Sequence, residues 1–158
     1  MGVTSIRTVI NNSTDTVRID DHENSSASVI VGPRQTIGPD LCNIPIPWCT
    51  STTDFANGHF LVITGTSPDT AVLPWWIWQQ WEPWWTGGDN SDRVRFSRDG
   101  KFHDVKWNWV PGDSRVNGDR EVVINEDGTI TFVWPDAPFA DKEASTVTLA
   151  EQVSPYRR

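Results

Sequence analysis

The chain has 158 residues, a length that suits one domain of roughly 100–200 residues, and 37% of them are hydrophobic, which excludes wholesale disorder. Thirteen Lys and Arg against 21 Asp and Glu give a net charge of −8, so duplex nucleic acid and anionic lipid are disfavoured as partners held by simple electrostatics. No stretch approaches the ~18 apolar residues of a membrane span, and the opening residues lack the apolar run of a secretory signal, so the expectation is a cytoplasmic, leaderless or already processed protein.

Gly, Pro, Asn and Asp punctuate the chain at short intervals and no long amphipathic helix is visible, which is the rhythm of an all-β protein. Residues 4–10 are rich in β-branched side chains, 11–13 are turn-like and 16–20 are extended again, predicting a first hairpin. Asn11, Asn12 and Asn24 head glycosylation sequons but are read as turn residues. Residues 20–23 form an acidic cluster with His22, read as a loop. Residues 28–31 suit an edge strand, continued by 35–37 after Gly32-Pro33. Residues 38–58 hold three prolines and both cysteines and predict a long irregular loop. Cys42 and Cys49 either close a small disulfide loop or remain as two semi-buried thiols. His22, His59 and His103 lack the paired spacing with cysteines that zinc requires.

The run 59–64 is apolar on both faces and predicts a central strand. Residues 71–73 suggest another, broken by Pro74. Residues 93–97 alternate Arg and Ser with Val94 and Phe96, and Asp99-Gly100 predicts a hairpin into 105–109, with Val105, Trp107 and Trp109 on one face. Arg93 and Arg95 share the other face of their strand, read as a solvated surface or, more sharply, as an anion clamp. The strongest hairpin signal joins 121–124 to 129–134 through Glu126-Asp127-Gly128. Residues 146–149 suggest a last strand and 152–158 a mobile end.

Ten tryptophans stand beside one tyrosine and six phenylalanines, and six of the ten fall between positions 75 and 85. As a strand, this segment sets Trp76 and Trp78 opposite Trp75 and Ile77; as a helical turn started by Pro74, it lines up Trp78, Trp81 and Trp85. At roughly 150–250 Å² for each aromatic side chain, one small core has difficulty burying them all. Trp84 and Trp85, next to Pro83 and the Gly87-Gly88 turn, are the expected exposed pair, and the alternative is that the segment walls an aromatic core.

The expectation is therefore a single domain over 1–158, an antiparallel β-sandwich or alternatively a β-barrel, with Phe60, Val62, Ile63, Val94, Phe96, Ile124, Ile130 and Phe132 in its core. The expected function is non-enzymatic and lectin-like. Indole faces of Trp78, Trp81, Trp84 and Trp85 stack on sugar rings, while Gln79, Gln80, Glu82 and Asp89 bond the hydroxyls. Three other readings use the same residues: a membrane-active, cytolysin-like sandwich docking on neutral or zwitterionic headgroups, a cage for a quaternary ammonium group, and a small hydrolase, lyase or cyclase using His103 and Asp104 beside a Trp-walled pocket. No cofactor or metal is expected, although the aspartates of 89–92 and 113–119 are a weak calcium candidate. A glycan or other small ligand is the expected partner, and exposed indoles also suit a homo-oligomer.

Overall fold

A computed structural model describes residues 2–81, 92–105 and 108–137. The expected strand at 146–149 and the tail at 152–158 lie outside them. Within the described residues the architecture is an all-β sandwich of two sheets, with no closed barrel. The first sheet contains β1 (Thr4–Asn11), β4 (Thr36–Ile37), β5 (Ile44–Pro45), β9 (Gly118–Ile124) and β10 (Ile130–Val133), in the order β10-β9-β1-β4, with β5 also pairing with β1. The second contains β2 (Val17–Asp21), β3 (Val29–Val31), β6 (Leu61–Gly65), β7 (Trp75–Gln80) and β8 (Arg93–Ser97), in the order β3-β2-β6-β7-β8. Among these strands pairing is antiparallel except between β1 and β9, which run parallel.

The period-2 alternation of strand side chains delivers one apolar face from each sheet to a shared interior. Ile6, Val9, Val122, Ile124, Ile130 and Phe132 meet Val17, Ile19, Leu61, Ile63, Ile77, Val94 and Phe96 there, all buried. Each such side chain contributes roughly 1.5–3 kcal/mol by leaving water. Ile6 and Val9 both point inward although three positions apart, because the register against β9 shifts between Ile6 and Thr8 and this bulge reverses the alternation. Arg7, at the bulge, reaches outward and donates to the carbonyls of Cys42 (3.0 Å) and Pro39 (3.1 Å), pinning the loop that follows β4.

Several expectations are corrected. The strands flanking 11–13 do not form a hairpin: β1 and β2 belong to different sheets, and the chain crosses the sandwich between them. Asn11 organises that crossing. Its buried amide donates to the carbonyls of Asp15, Val31 and Gly32 and accepts from the Ser13 N–H and hydroxyl. β4 likewise leaves the sheet of β3 and pairs with β1. The segment 38–58 is not wholly irregular, since it contains β5 and a short helix, α1 (Thr52–Ala56), capped by the Ser51 hydroxyl on the Asp54 N–H. Residues 71–73 form no strand. Of the expected core, Val62 faces outward opposite Trp76, and Phe60 packs in a second cluster; the other six residues are in the interior. β6 is central, and β9 and β10 form the expected hairpin, whose Gly128 adopts φ +86.

Among the described residues the return from Asp99-Gly100 pairs with β8 through isolated bridges, and 108–116 runs as a strap between the two sheets. It bonds β8 through Asn108, Val110 and Ser114 and bonds β10 through Pro111 and Asp113. At Gly112 the strap crosses β10 so closely that a Cβ would stand 2.2 Å from the Phe132 carbonyl oxygen, and φ is +88. Gly112→Ala is expected to destabilise the fold by at least about 1–3 kcal/mol, the range for left-handed strain at a non-glycine residue, with chemical denaturation as the measurement.

Both cysteines are free and buried, Cys42 in the main interior and Cys49 in the second cluster, so the disulfide reading gives way to two thiols. Burial raises each from 9.0 to about 11. Because the folded-state value is the higher one, the stability these thiols contribute is complete below pH 9 and is lost as pH rises through 11. At neutral pH neither is expected to react with iodoacetamide until denaturant is added, and intact-mass analysis with and without denaturant checks this.

Candidate functional site

The tryptophan segment is a strand, and it is paired on both edges. β8 lies along one side. On the other, β6 pairs with Trp75, Trp76 and Ile77 only, and the segment 46–49 takes over where β6 ends. There the Gln79 N–H donates to Pro47 O (2.8 Å) and the Cys49 N–H to Gln79 O (2.9 Å). The alternation turns Trp75, Ile77 and Gln79 inward and Trp76, Trp78 and Gln80 outward.

Inside, the Trp75 indole donates to Gly128 O (3.0 Å), its ring lies 4.9 Å from that of Phe96, and the Arg98 guanidinium stacks on it at 3.9 Å. The Gln79 amide donates to Ile46 O (2.6 Å) and accepts from the Thr4 hydroxyl (2.8 Å), bridging the two sheets.

Outside, a second apolar cluster covers the strand. Trp78 is fully buried against Cys49, Phe55 of α1 and Phe102. Phe55 meets its ring edge-on at 5.5 Å, Phe102 lies at 5.5 Å, and Phe60 stacks on Phe55 at 4.5 Å. A polar chain leaves this cluster. The Trp78 indole donates to Gln80 Oε1 (3.1 Å), and Gln80 Nε2 donates to Asp104 Oδ1 (2.5 Å). Beside it the buried Arg95 donates to Val105 O (2.7 Å) and Asn108 Oδ1 (3.0 Å). This corrects the solvated outer face expected for β8: the chain returning after Gly100 folds back over Arg95 and accepts its hydrogen bonds.

The expected ligand residues therefore separate. Trp78, Gln79 and Gln80 are buried and bonded within the protein, so their groups belong to its architecture and not to an open platform. Trp81, one step past β7, is 43% exposed. Glu82, Trp84, Trp85 and Asp89 lie outside the described residues, as does Trp107. His103 and Asp104 do not act on one another: His103 Nε2 contacts both Asp99 oxygens at 3.0 and 2.8 Å, and Asp104 receives Gln80. That contact holds the Asp99 carboxyl below its ordinary value. Sequence reasoning treated Asp99 only as a turn residue; the i, i+4 spacing to His103 was the available signal.

The same end of the sandwich gathers indoles under guanidinium groups. Gln80 pairs with Arg93 at the start of β8, Thr4 pairs with Gly118 at the start of β9, and the Thr4–Gln79 bond joins these two sheet ends. Arg93 lies 4.1 Å over the ring of Trp109, while Arg115 and Arg120 lie 4.9 and 3.6 Å over that of Trp134. Each such contact is worth ~0.5–2 kcal/mol depending on desolvation. Asp113, offered in sequence as a calcium candidate, is buried in a two-point contact with Arg115, through Nε at 2.9 Å and NH2 at 2.5 Å. Among the described residues no three His, Cys, Asp or Glu side chains come together as metal ligands.

Trp78→Ala is expected to cost roughly 3–5 kcal/mol, as for large aromatic deletions in cores, whereas Trp81→Ala costs about 1 kcal/mol or less; urea denaturation of the two variants checks the contrast. No family model, curated protein or solved structure matches the chain.

Proposed function

We propose that this protein is a non-enzymatic, lectin-like binding module that takes a carbohydrate at the end of the sandwich where β7 stops. The observation that carries the reading is the exposure of Trp81 directly after a strand whose other described indoles are buried or half-buried. An indole face is flat, apolar and weakly negative, and it complements the C–H face of a pyranose. A strand paired on both edges gives such a platform a rigid base, which lowers the ordering cost of binding. Glu82, Trp84, Trp85 and Asp89 follow Trp81 in sequence and supply further indoles and hydroxyl acceptors.

The same indole suits the polar–apolar boundary of a bilayer, so the test must separate the two. Labelled protein is applied to a glycan array and, in parallel, to phosphatidylcholine vesicles, with wild type beside Trp81→Ala. The expected result is a selective glycan signal that falls at least about tenfold in the variant, the loss of a buried aromatic contact worth ~2 kcal/mol, with thermal unfolding little changed. Vesicle binding without glycan binding overturns the carbohydrate reading in favour of a membrane-active one, and undiminished glycan binding by the variant removes Trp81 from the site.

A further inference from the structure

Arg120 occupies a position that the alternation of its strand reserves for an apolar side chain. In β9 it shares a face with Val122 and Ile124, and its register partner on β1 is the buried Ile6. It is fully buried. Its NH2 donates to Arg115 O (2.7 Å) and its NH1 to Asp119 O (3.1 Å), while the Nε–H is buried without an acceptor. A guanidinium has five N–H donors, so two of them are satisfied by protein. Among the described residues no carboxylate forms a salt bridge with it, the buried carboxylate beside it, Asp113, being held by the fork of Arg115. Gly118 allows this arrangement: a Cβ there would stand 3.3 Å from the Trp134 ring and 3.4 Å from Arg120 NH1, in a backbone conformation of φ +86. Trp134, stacked on the guanidinium at 3.6 Å, is itself half-buried.

A charge under cover with no carboxylate in contact costs several kcal/mol; burial lowers this guanidinium to about 10 against the opposing attraction of Asp113 and Asp119, a value at which it still carries its full charge at neutral pH. Carbonyl dipoles and the ring face recover only part of that cost. An oxyanion recovers the rest, because two of its oxygens match adjacent guanidinium N–H groups and its charge cancels the buried one.

We propose that Arg120, walled by Trp134, anchors a binding site for an oxyanion, the carboxylate or sulfate group of an acidic sugar or the free ion. The extension to acidic sugars rests on the carbohydrate reading above; the oxyanion site itself does not. In an otherwise acidic protein, an internal cation of this kind selects an anionic ligand locally while the global charge repels polyanions.

The test is a nitrogen–proton NMR titration of the Arg120 Nε–H in the full-length protein with sodium sulfate, glucuronate and, as controls, glucose and sodium chloride at matched ionic strength. Because this proton is buried, it exchanges slowly enough to be followed, and the wild type decides the matter without a variant. A saturable shift with sulfate and glucuronate, and none with the controls, is the expected result. Arg120→Lys, which keeps charge but loses the planar fork, is expected to weaken sulfate at least about tenfold, the equivalent of ~1.4 kcal/mol. A shift with sulfate alone supports the oxyanion site and overturns the acidic-sugar extension. No saturable shift with either anion overturns the proposal. Trp81→Ala is expected to leave the sulfate titration unchanged, so a failure of the Trp81 platform is distinguishable from a failure of the oxyanion site.

Discussion

Gln79 ties the molecule together at the place where its chemistry is concentrated. Its backbone pairs with the segment 46–49 on one side and with β8 on the other, while its amide spans the interior to Thr4 and Ile46. A primary amide buried among aliphatic side chains is costly unless its bonding capacity is met, and here both of its ends are engaged. The requirement that Gln79 face inward fixes the parity of β7. Trp78 and Gln80 must then face outward, where α1 and the residues after Gly100 cover them, and Trp81 is carried past the end of the strand.

The consequence is a protein with two apolar clusters on opposite faces of one sheet. A 158-residue chain distributes its large aromatic surface by building a small second core around Trp78, Phe55, Phe60 and Phe102 rather than by enlarging the first. Three indoles, Trp75, Trp109 and Trp134, lie beneath guanidinium groups. Arginine suits these positions because its planar cation is weakly hydrated and stacks on a ring while bonding carbonyls in its plane. Asp15, Asp99 and Asp127 accept hydrogen bonds, Asp15 from Thr70 and Ser67 and the other two from neighbours within four residues, that hold their carboxyls below the ordinary range. Depressed values of this kind contribute stability above the ordinary carboxylate range, and that contribution is lost as pH falls through the folded-state values.

Where the sequence was legible, the signal was local. The run at β6 is apolar on both faces because the sheet has an interior and a covered exterior there. Glu126-Asp127-Gly128 marks its hairpin because a left-handed glycine is needed at that turn. Where it was not legible, the determinant was remote. Asn-Asn-Ser serves a hairpin or a crossing equally well, and only the distant carbonyls of Val31 and Gly32 decide that Asn11 directs a crossing. The bulge at Arg7 has no composition of its own, so the inward pairing of Ile6 and Val9 was hidden. Gln79 and Gln80 read as ligand-bonding groups because their partners Thr4, Ile46 and Asp104 are distant in sequence, and Arg95 read as a surface group because strand alternation does not show that the chain after Gly100 folds back over it. For the site, the alternation in β7 was visible, but which of its polar groups would be consumed internally was set by Thr4, Ile46 and Asp104.

The strap over 108–116 bears on the association of one copy with another. A sandwich exposes strand edges whose free amides and carbonyls invite a neighbouring chain to add on, the first step toward fibrous aggregation. Here the edges of β8 and β10 are both occupied by the strap, one after the other. The opposite edges, among the described residues, are β3, three residues long, and β4 and β5, two residues each. A strand that short offers too few hydrogen bonds to offset the entropy of recruiting a partner. The fold thus carries its protection against edge-to-edge polymerisation in one covering segment and in brevity, without needing a line of charged gatekeepers.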